Sequence, residues 1–156
     1  MSVDHPIVIS SPVGPIGLAA EGDALTGVTL RASGRAPRGR PAGVLAEAAR
    51  QLDAYFARRL RTFDLPLAPS GTPFQQDVWR ALREIAYGDT WSYTDLARRV
   101  GRPAAVRAVG AANGRNPIPI IIPCHRVIGR DGTLVGFGGG LDMKRALLAL
   151  EQGALF

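Results

Sequence analysis

Cysteine is almost missing from this chain: 156 residues contain one, Cys124. A single thiol excludes an internal disulfide framework and any cysteine-rich zinc module. Long apolar runs are missing too. No stretch approaches the 18 or so residues a membrane helix needs, and the N-terminus lacks the basic-then-apolar pattern of a secretory signal. The expectations are no membrane partner and a reducing, cytoplasmic setting. Lysine is nearly absent, since Lys144 is the single one among 19 basic residues. Acid is absent from one long stretch. Between Leu96 and Arg130 there is no Asp or Glu, but there are Arg98, Arg99, Arg102, Arg107, Arg115, Arg126 and Arg130.

The net charge is +6, which favours a polyanionic partner. A GC-rich genome accounts equally well for arginine over lysine, but not for its clustering. An acid-free arginine run in one segment is the pattern that neutralises phosphates. Hydrophobic content of 46% with 21% charged residues excludes disorder as the main state. A chain this long makes one domain or two small ones and can bury about 70% of its extended surface.

The first 30 residues alternate and carry turn residues. Ile7–Ile9, Ile16–Leu18 and Leu25–Leu30 predict three short strands in an antiparallel meander. Residues 31–43, all Arg, Gly, Pro, Ala and Ser, read as an exposed loop, or alternatively as a basic arm on nucleic acid. Leu45, Ala48, Ala49, Leu52, Tyr55 and Phe56 recur at helical spacing and predict a helix from Val44 to about Leu60. The two prolines of Phe63–Gly71 mark an extended linker. The expected domains are therefore 1–70, an N-terminal α/β unit, and 71–156.

In the second half, Thr72-Pro73-Phe74-Gln75 supplies an N-cap, a proline at the first helical position and a reciprocal Gln. Phe74, Val78, Leu82 and Ile85 then predict a helix ending before Gly88. Ser92 with Asp95 opens the next helix and Gly101 closes it. Pro103 is expected to start a third, small-residue helix ending near Asn113, and Ile118–Val127 reads as an apolar strand broken by Pro119 and Pro123. Leu141–Gln152 reads as the last helix, closed by Gly153.

Helices at Ser92–Val100 and Pro103–Asn113 around Gly101-Arg102 have the lengths of a helix-turn-helix, with Leu96, Val100, Val106 and Val109 as shared core. An ordinary helical hairpin has the same lengths, and the arginine run favours DNA. A reader helix built of Ala104, Ala105, Ala108, Ala111 and Ala112 has few groups for base edges. It suits close approach to a minor groove, with Arg107 able to enter where a base leaves the stack.

Ile120-Ile121-Ile122-Pro123-Cys124-His125-Arg126-Val127 is the sharpest feature. A lone Cys among isoleucines is ordinarily a buried small hydrophobe. Here an imidazole and a guanidinium follow at once, and both can lower a thiol pKa. In an extended segment neighbours point to opposite sides, so Cys124 and His125 are expected to communicate through a water, with Glu151 holding the far ring nitrogen.

The residues PCHRV, the preceding RAVGAANGRNPIPII and the later GFGGGLDMKRALLALE together closely resemble the O6-alkylguanine-DNA alkyltransferases, most specifically from Thr72 to Gly153. The resemblance implies an α+β fold: a small N-terminal antiparallel sheet plus helix, ribonuclease-H-like, then a mostly helical domain with a helix-turn-helix. It implies binding of double-stranded DNA containing alkylated guanine, with the lesion turned out of the stack. Cys124 would accept the alkyl group, with His125 and Glu151 taking its proton. Tyr93 would turn the 3′ phosphate and protonate the departing guanine. Asn116 would tie the reader helix to the active segment. DNA contacts would come from Arg107, Ala104, Ala105, Ala108 and Arg115. Pro119, Val127, Phe137 and Gly138 would line the lesion pocket, with carbonyls of Cys124 and Val127 receiving the guanine amino group.

The resemblance further implies no cofactor, no metal and a monomer in solution, with cooperativity on DNA open. The zinc ligands of some members are missing here. Phe137 stands where many members carry tyrosine, and Gly138 where some carry serine or alanine, so an altered lesion preference is expected. Three alternatives remain at this point: a non-catalytic lesion-binding protein, a regulatory helix-turn-helix protein and a Cys-His hydrolase. Cys124 speaks against the first and the alanine-rich helix against the second. The third needs an oxyanion hole and water access.

Overall fold

The computed structural model describes residues 7–33 and 41–153. It divides into two compact units, Met1–Ser70 and Gly71–Phe156, and the fold is α+β. In the first unit, β1 (Ile7–Ile9), β2 (Ile16–Glu21) and β3 (Ala24–Leu30) form an antiparallel meander in the order β1-β2-β3. Ile16, Leu18, Leu25 and Val28 turn inward against α1 (Gly43–Phe56), whose Ala48, Leu52 and Tyr55 are buried. The segment read as a linker is pinned to β3. Leu25 N–H donates to Pro66 O at 2.8 Å and Ala68 N–H to Leu25 O at 2.9 Å. Most of the loop expected over 31–43, residues 34–40, lies outside the described residues.

The first helix ends four residues before the expected Leu60. Arg58 takes φ +62, Arg59 N–H reaches Ala54 O and Arg58 N–H reaches Tyr55 O. This is a Schellman closure with arginine where glycine is usual.

The second unit opens as expected. In α2 (Pro73–Leu82) Thr72 and Gln75 form a full capping box, and in α3 (Tyr93–Arg99) Ser92 and Asp95 do the same. The α2 helix stops at Leu82 rather than running toward Gly88. Bonds from Arg83, Glu84 and Ile85 N–H groups to carbonyls three residues back tighten the chain into turns. Ile85 is buried all the same.

Two expectations are corrected. The reader helix, α4 (Val106–Gly114), does not begin at Pro103. Ala105 N–H donates to Arg102 O at 2.9 Å, so Pro103 sits at the second position of a β-turn, another place its fixed φ favours. Ala104 and Ala105 therefore precede the helix. Nor is Ile118–Val127 a strand. It turns at once, with Ile122 N–H on Ile118 O at 2.9 Å and Ile120 at φ +74. Regular pairing resumes only at β5 (Val127–Ile128), which lies parallel to β4 (Trp91–Ser92). The last helix, α5 (Leu141–Glu151), packs on the turn that carries the cysteine.

Candidate active site

The cysteine segment is folded by its own polar residues. Asn116 Oδ1 accepts the Ile118 N–H at 3.0 Å, and Asn116 Nδ2 donates to Ile122 O at 2.7 Å. These bonds close a loop whose Ile118, Ile120, Ile121 and Ile122 are all buried. A β-branched residue at positive φ is strained by roughly 1–3 kcal/mol. Burial of the four isoleucines offsets the strain at Ile120 and holds the loop in place.

Cys124, His125 and Arg126 then form one 3-10 turn. The expectation of alternating side chains on an extended segment therefore fails, because this stretch is not extended. His125 Nε2 lies 2.7 Å from Glu151 Oε2 on α5. Burial works against ionisation of Glu151, but hydrogen bonds from His125 and Arg126 outweigh it and bring the carboxyl down to about 2. An ionised carboxylate can only accept, so His125 carries its proton on Nε2. Its Nδ1 is buried with no hydrogen-bond partner among the described residues. Burial lowers the imidazole pKa, so the ring is neutral at pH 7 and Nδ1 is an open acceptor.

Arg126 is the residue whose role the sequence concealed. In sequence it belongs to the acid-free arginine run and adjoins the thiol's histidine. It is buried, with Nε on Glu151 Oε1 at 2.7 Å, Nη2 on Oε2 at 3.0 Å and Nη1 on Ile85 O at 2.7 Å. Two nitrogens of its guanidinium fix Glu151, and so the His125 tautomer, while the third anchors it to the Ile85 carbonyl.

The thiol is not activated at rest, which corrects the expected depression. Cys124 is 7% exposed, and burial pushes its pKa up to about 11. A hydrogen bond from Asn116 and the charge of Lys144 pull in the other direction. Lys144 was missed as a functional residue. It is fully buried, donating to Val127 O at 2.6 Å and to Val135 O at 2.8 Å. Its singularity in an arginine-rich chain was the available signal: a compact ammonium fits where a planar guanidinium does not.

Tyr93 is brought to the same place by the pairing of Trp91 with Val127 and Ser92 with Ile128. Its phenol donates to Val135 O at 3.2 Å. Burial and the neighbouring Cys124 raise its pKa, so it stays protonated. Phe137 is half-buried and Gly138 exposed in the loop before α5, and Pro119 is half-buried in the isoleucine turn. A Cβ added at Gly138 meets no atom within 4 Å.

The helix-turn-helix has a buried inner face, with Leu96, Ala97, Val109, Ala112 and Asn113. Val100 and Val106, expected in that core, are half-buried. Ala104, Arg107, Ala108, Ala111 and Arg115 are exposed and Ala105 half-exposed. Of the seven arginines in the acid-free run, Arg99 is bonded to Glu84, Arg126 to Glu151, and Arg102 lies 5.7 Å over the Phe74 ring. The rest of the run is turned to solvent. Among the described residues no helix is long and apolar enough to cross a membrane, and no cluster of potential metal ligands occurs.

The profile of the 6-O-methylguanine DNA methyltransferase DNA binding domain matches residues 73–153, and that of the ribonuclease-like domain of the same family matches 6–69. The Methanosarcina barkeri methylated-DNA–protein-cysteine methyltransferase is 51% identical over 154 residues, covering 95% of this chain and 97% of the relative. The Mycobacterium tuberculosis protein of the same name is 49% identical over 152 residues, covering 95% and 92%. The crystal structure of Mycobacterium tuberculosis OGT in complex with DNA superposes with a TM-score of 0.85 at 50% identity, covering 94% and 91%. With both units matched and half the residues shared over nearly the full length, the chain belongs to the 6-O-methylguanine DNA methyltransferase family.

Proposed function

We propose that this protein repairs DNA by direct reversal, moving the alkyl group of O6-alkylguanine, and likewise of O4-alkylthymine, irreversibly onto Cys124. The partner is double-stranded DNA carrying the lesion, and the protein acts as a monomer in the cytoplasm. Residues 71–156 carry DNA binding and chemistry. The observation that carries the reading is the His125–Glu151 bond at 2.7 Å, which leaves Nδ1 open one residue from the only sulfur nucleophile.

The exposed face of α4 enters the minor groove, and its alanines allow close approach. Arg107 fills the gap left by the everted guanine, Arg115 meets the backbone, and Ala104, Ala105 and Ala108 face the groove. Turning the base out costs a few kcal/mol, less for a damaged pair, which contributes to lesion selectivity. The base rests among Pro119, Val127, Phe137 and Gly138. A thiol with a pKa of about 11 is a poor nucleophile at neutral pH, so its proton must leave as the reaction proceeds. It passes through solvent to Nδ1 of His125, and Glu151 stabilises the imidazolium. Asn116 and Lys144 stabilise the developing thiolate. Sulfur then forms a bond to the alkyl carbon, the carbon–O6 bond breaks, and Tyr93 supplies the proton that lets guanine leave neutral. The product is a thioether, which no group here hydrolyses, so each molecule reacts once.

The test is a duplex with one O6-methylguanine, mixed with the protein and read by intact and peptide mass. One methyl per molecule is expected on the peptide holding Cys124, with none in Cys124→Ala. Multiple turnover, or restored guanine with unmodified protein, overturns the mechanism.

A further inference from the structure

Asn113 is a buried amide that neither the exposed face of α4 nor the thiol relay uses. It lies on α4, 4% exposed, and its Oδ1 has no hydrogen-bond partner among the described residues. An unpaired polar atom at such a depth destabilises the fold, and an apolar side chain of the same shape avoids that penalty. Asparagine is also a mediocre helix former. Packing alone therefore gives no reason for an amide here. The reason lies on the neighbouring helix. The Tyr93 ring of α3 runs along the face of α4 that holds Gly110, one turn before Asn113. A Cβ built at Gly110 would stand 3.6 Å from Tyr93 Cδ1 and 3.7 Å from Cε1. The phenol O–H donates to Val135 O at 3.2 Å. The amide of Asn113 donates to the phenol oxygen, opposing the burial and the nearby Cys124 that raise the phenol pKa. Gly110, Val135 and Asn113 thus hold the ring, the hydroxyl proton and the oxygen in turn.

We propose that Asn113 is a positioning residue for proton transfer: it holds the Tyr93 oxygen in place and stabilises the phenolate that forms there. The proposal rests on the reading above, in which Tyr93 protonates the departing guanine. In that step the O–H bond of Tyr93 breaks, its electron pair stays on oxygen and the proton goes to the purine. The phenolate then recovers, through solvent, the proton that His125 took from the thiol. Charge exists on Tyr93 only during transfer, and a donor already aimed at the oxygen needs no reorganisation at that moment. Its hydrogen bond strengthens as the oxygen becomes charged. The gain is in rate, and the unpaired Oδ1 is the matching loss in stability.

The test is Asn113→Leu, alone and combined with Tyr93→Phe. The phenol pKa is read by NMR from isotope-labelled tyrosine, with Tyr93→Phe assigning the signal. Asn113→Leu should raise that pKa. It should also slow methyl transfer from duplex O6-methylguanine about tenfold, the scale of one hydrogen bond to a charged group. In a Tyr93→Phe background the same substitution should slow transfer no further. Its urea midpoint should equal or exceed that of the unaltered protein, because the unpaired oxygen is gone. An unchanged phenol pKa, an equal further loss of rate in the Tyr93→Phe background, or a midpoint that falls along with the rate overturns the proposal. Unaltered protein that takes up no methyl overturns the repair reading instead, and the phenol pKa of Asn113→Leu then still decides whether the amide holds the Tyr93 oxygen.

Discussion

At the scale of single residues, the site is built around a sulfur that is quiet until needed. Lys144 and Asn116 both pull the Cys124 pKa down against burial. Lys144→Met should raise the thiol pKa further and slow alkyl transfer at neutral pH. The deficit should narrow as the medium approaches the thiol pKa. Transfer rates from a free O6-alkylguanine base between pH 6 and 10 measure this, and a deficit independent of pH would remove Lys144 from the electrostatics. The His125 pKa is lowered, so its neutral form persists to lower pH than an ordinary histidine. The transfer rate should therefore hold through the usual histidine range and fall only on its acidic side. Arg126 binds both oxygens of a buried Glu151. Arg126→Met strands a buried carboxylate and should cost about 3–5 kcal/mol in denaturant unfolding.

At the scale of elements, what was legible depended on whether punctuation was written in special residues. The capping boxes Thr72/Gln75 and Ser92/Asp95 were readable because a cap requires those side chains at that spacing. Gly101 at φ +75 closes α3 as expected. The end of α1 was not readable, since Arg58 makes the same closure without glycine, and α2 tapers through turns that leave Ile85 in register with the core. The isoleucine segment deceived for a different reason. Four buried isoleucines within five residues look like a strand, and the bonds of Asn116 and the Ile122–Ile118 bond make them a turn. Arg126 and Lys144 were hidden because burial of a charge depends on partners distant in sequence, here Glu151 and the carbonyls of Val127 and Val135. The His125–Glu151 pairing, by contrast, could be anticipated from the scarcity of acids near the C-terminus. Two stability changes of opposite sign follow. Thr72→Ala should cost about 1 kcal/mol through loss of the cap. Arg58→Gly should add up to about 1 kcal/mol by relieving the left-handed arginine. Chemical denaturation of both variants checks the pair, and destabilisation by Arg58→Gly would show that its side-chain contacts outweigh the strain.

At the scale of the whole molecule, protonation and alkylation both act on the same buried turn. Glu151 has a folded-state pKa of about 2, below its ordinary 4.5. Its contribution to stability is thus present above about pH 4.5 and lost as pH falls toward 2. His125 adds to the same trend, because the unfolded chain takes up a proton below the ordinary histidine pKa that the folded ring resists. Stability should decline from neutral pH downward in two stages, and Glu151→Gln should weaken the lower one, to which the lowered carboxyls of Glu47, Asp95 and Asp131 also contribute. Unfolding midpoints in urea between pH 7 and 2.5 test this. Alkylation adds volume at the buried Cys124, whose residue is 7% exposed. Overpacking of this kind costs about 1–3 kcal/mol, so the methylated protein should melt several degrees below the free one.

The enclosed, protonated sulfur also governs what the protein ignores. A molecule that acts once has no second chance if a stray electrophile or peroxide reaches it first. Keeping the thiol folded away from solvent and far from its ionised form withholds it from small alkylating agents and oxidants, whose attack requires thiolate. Iodoacetamide should label native Cys124 far more slowly than the unfolded chain, so that the store of unused repair molecules outlasts the chemical stress that creates their substrate.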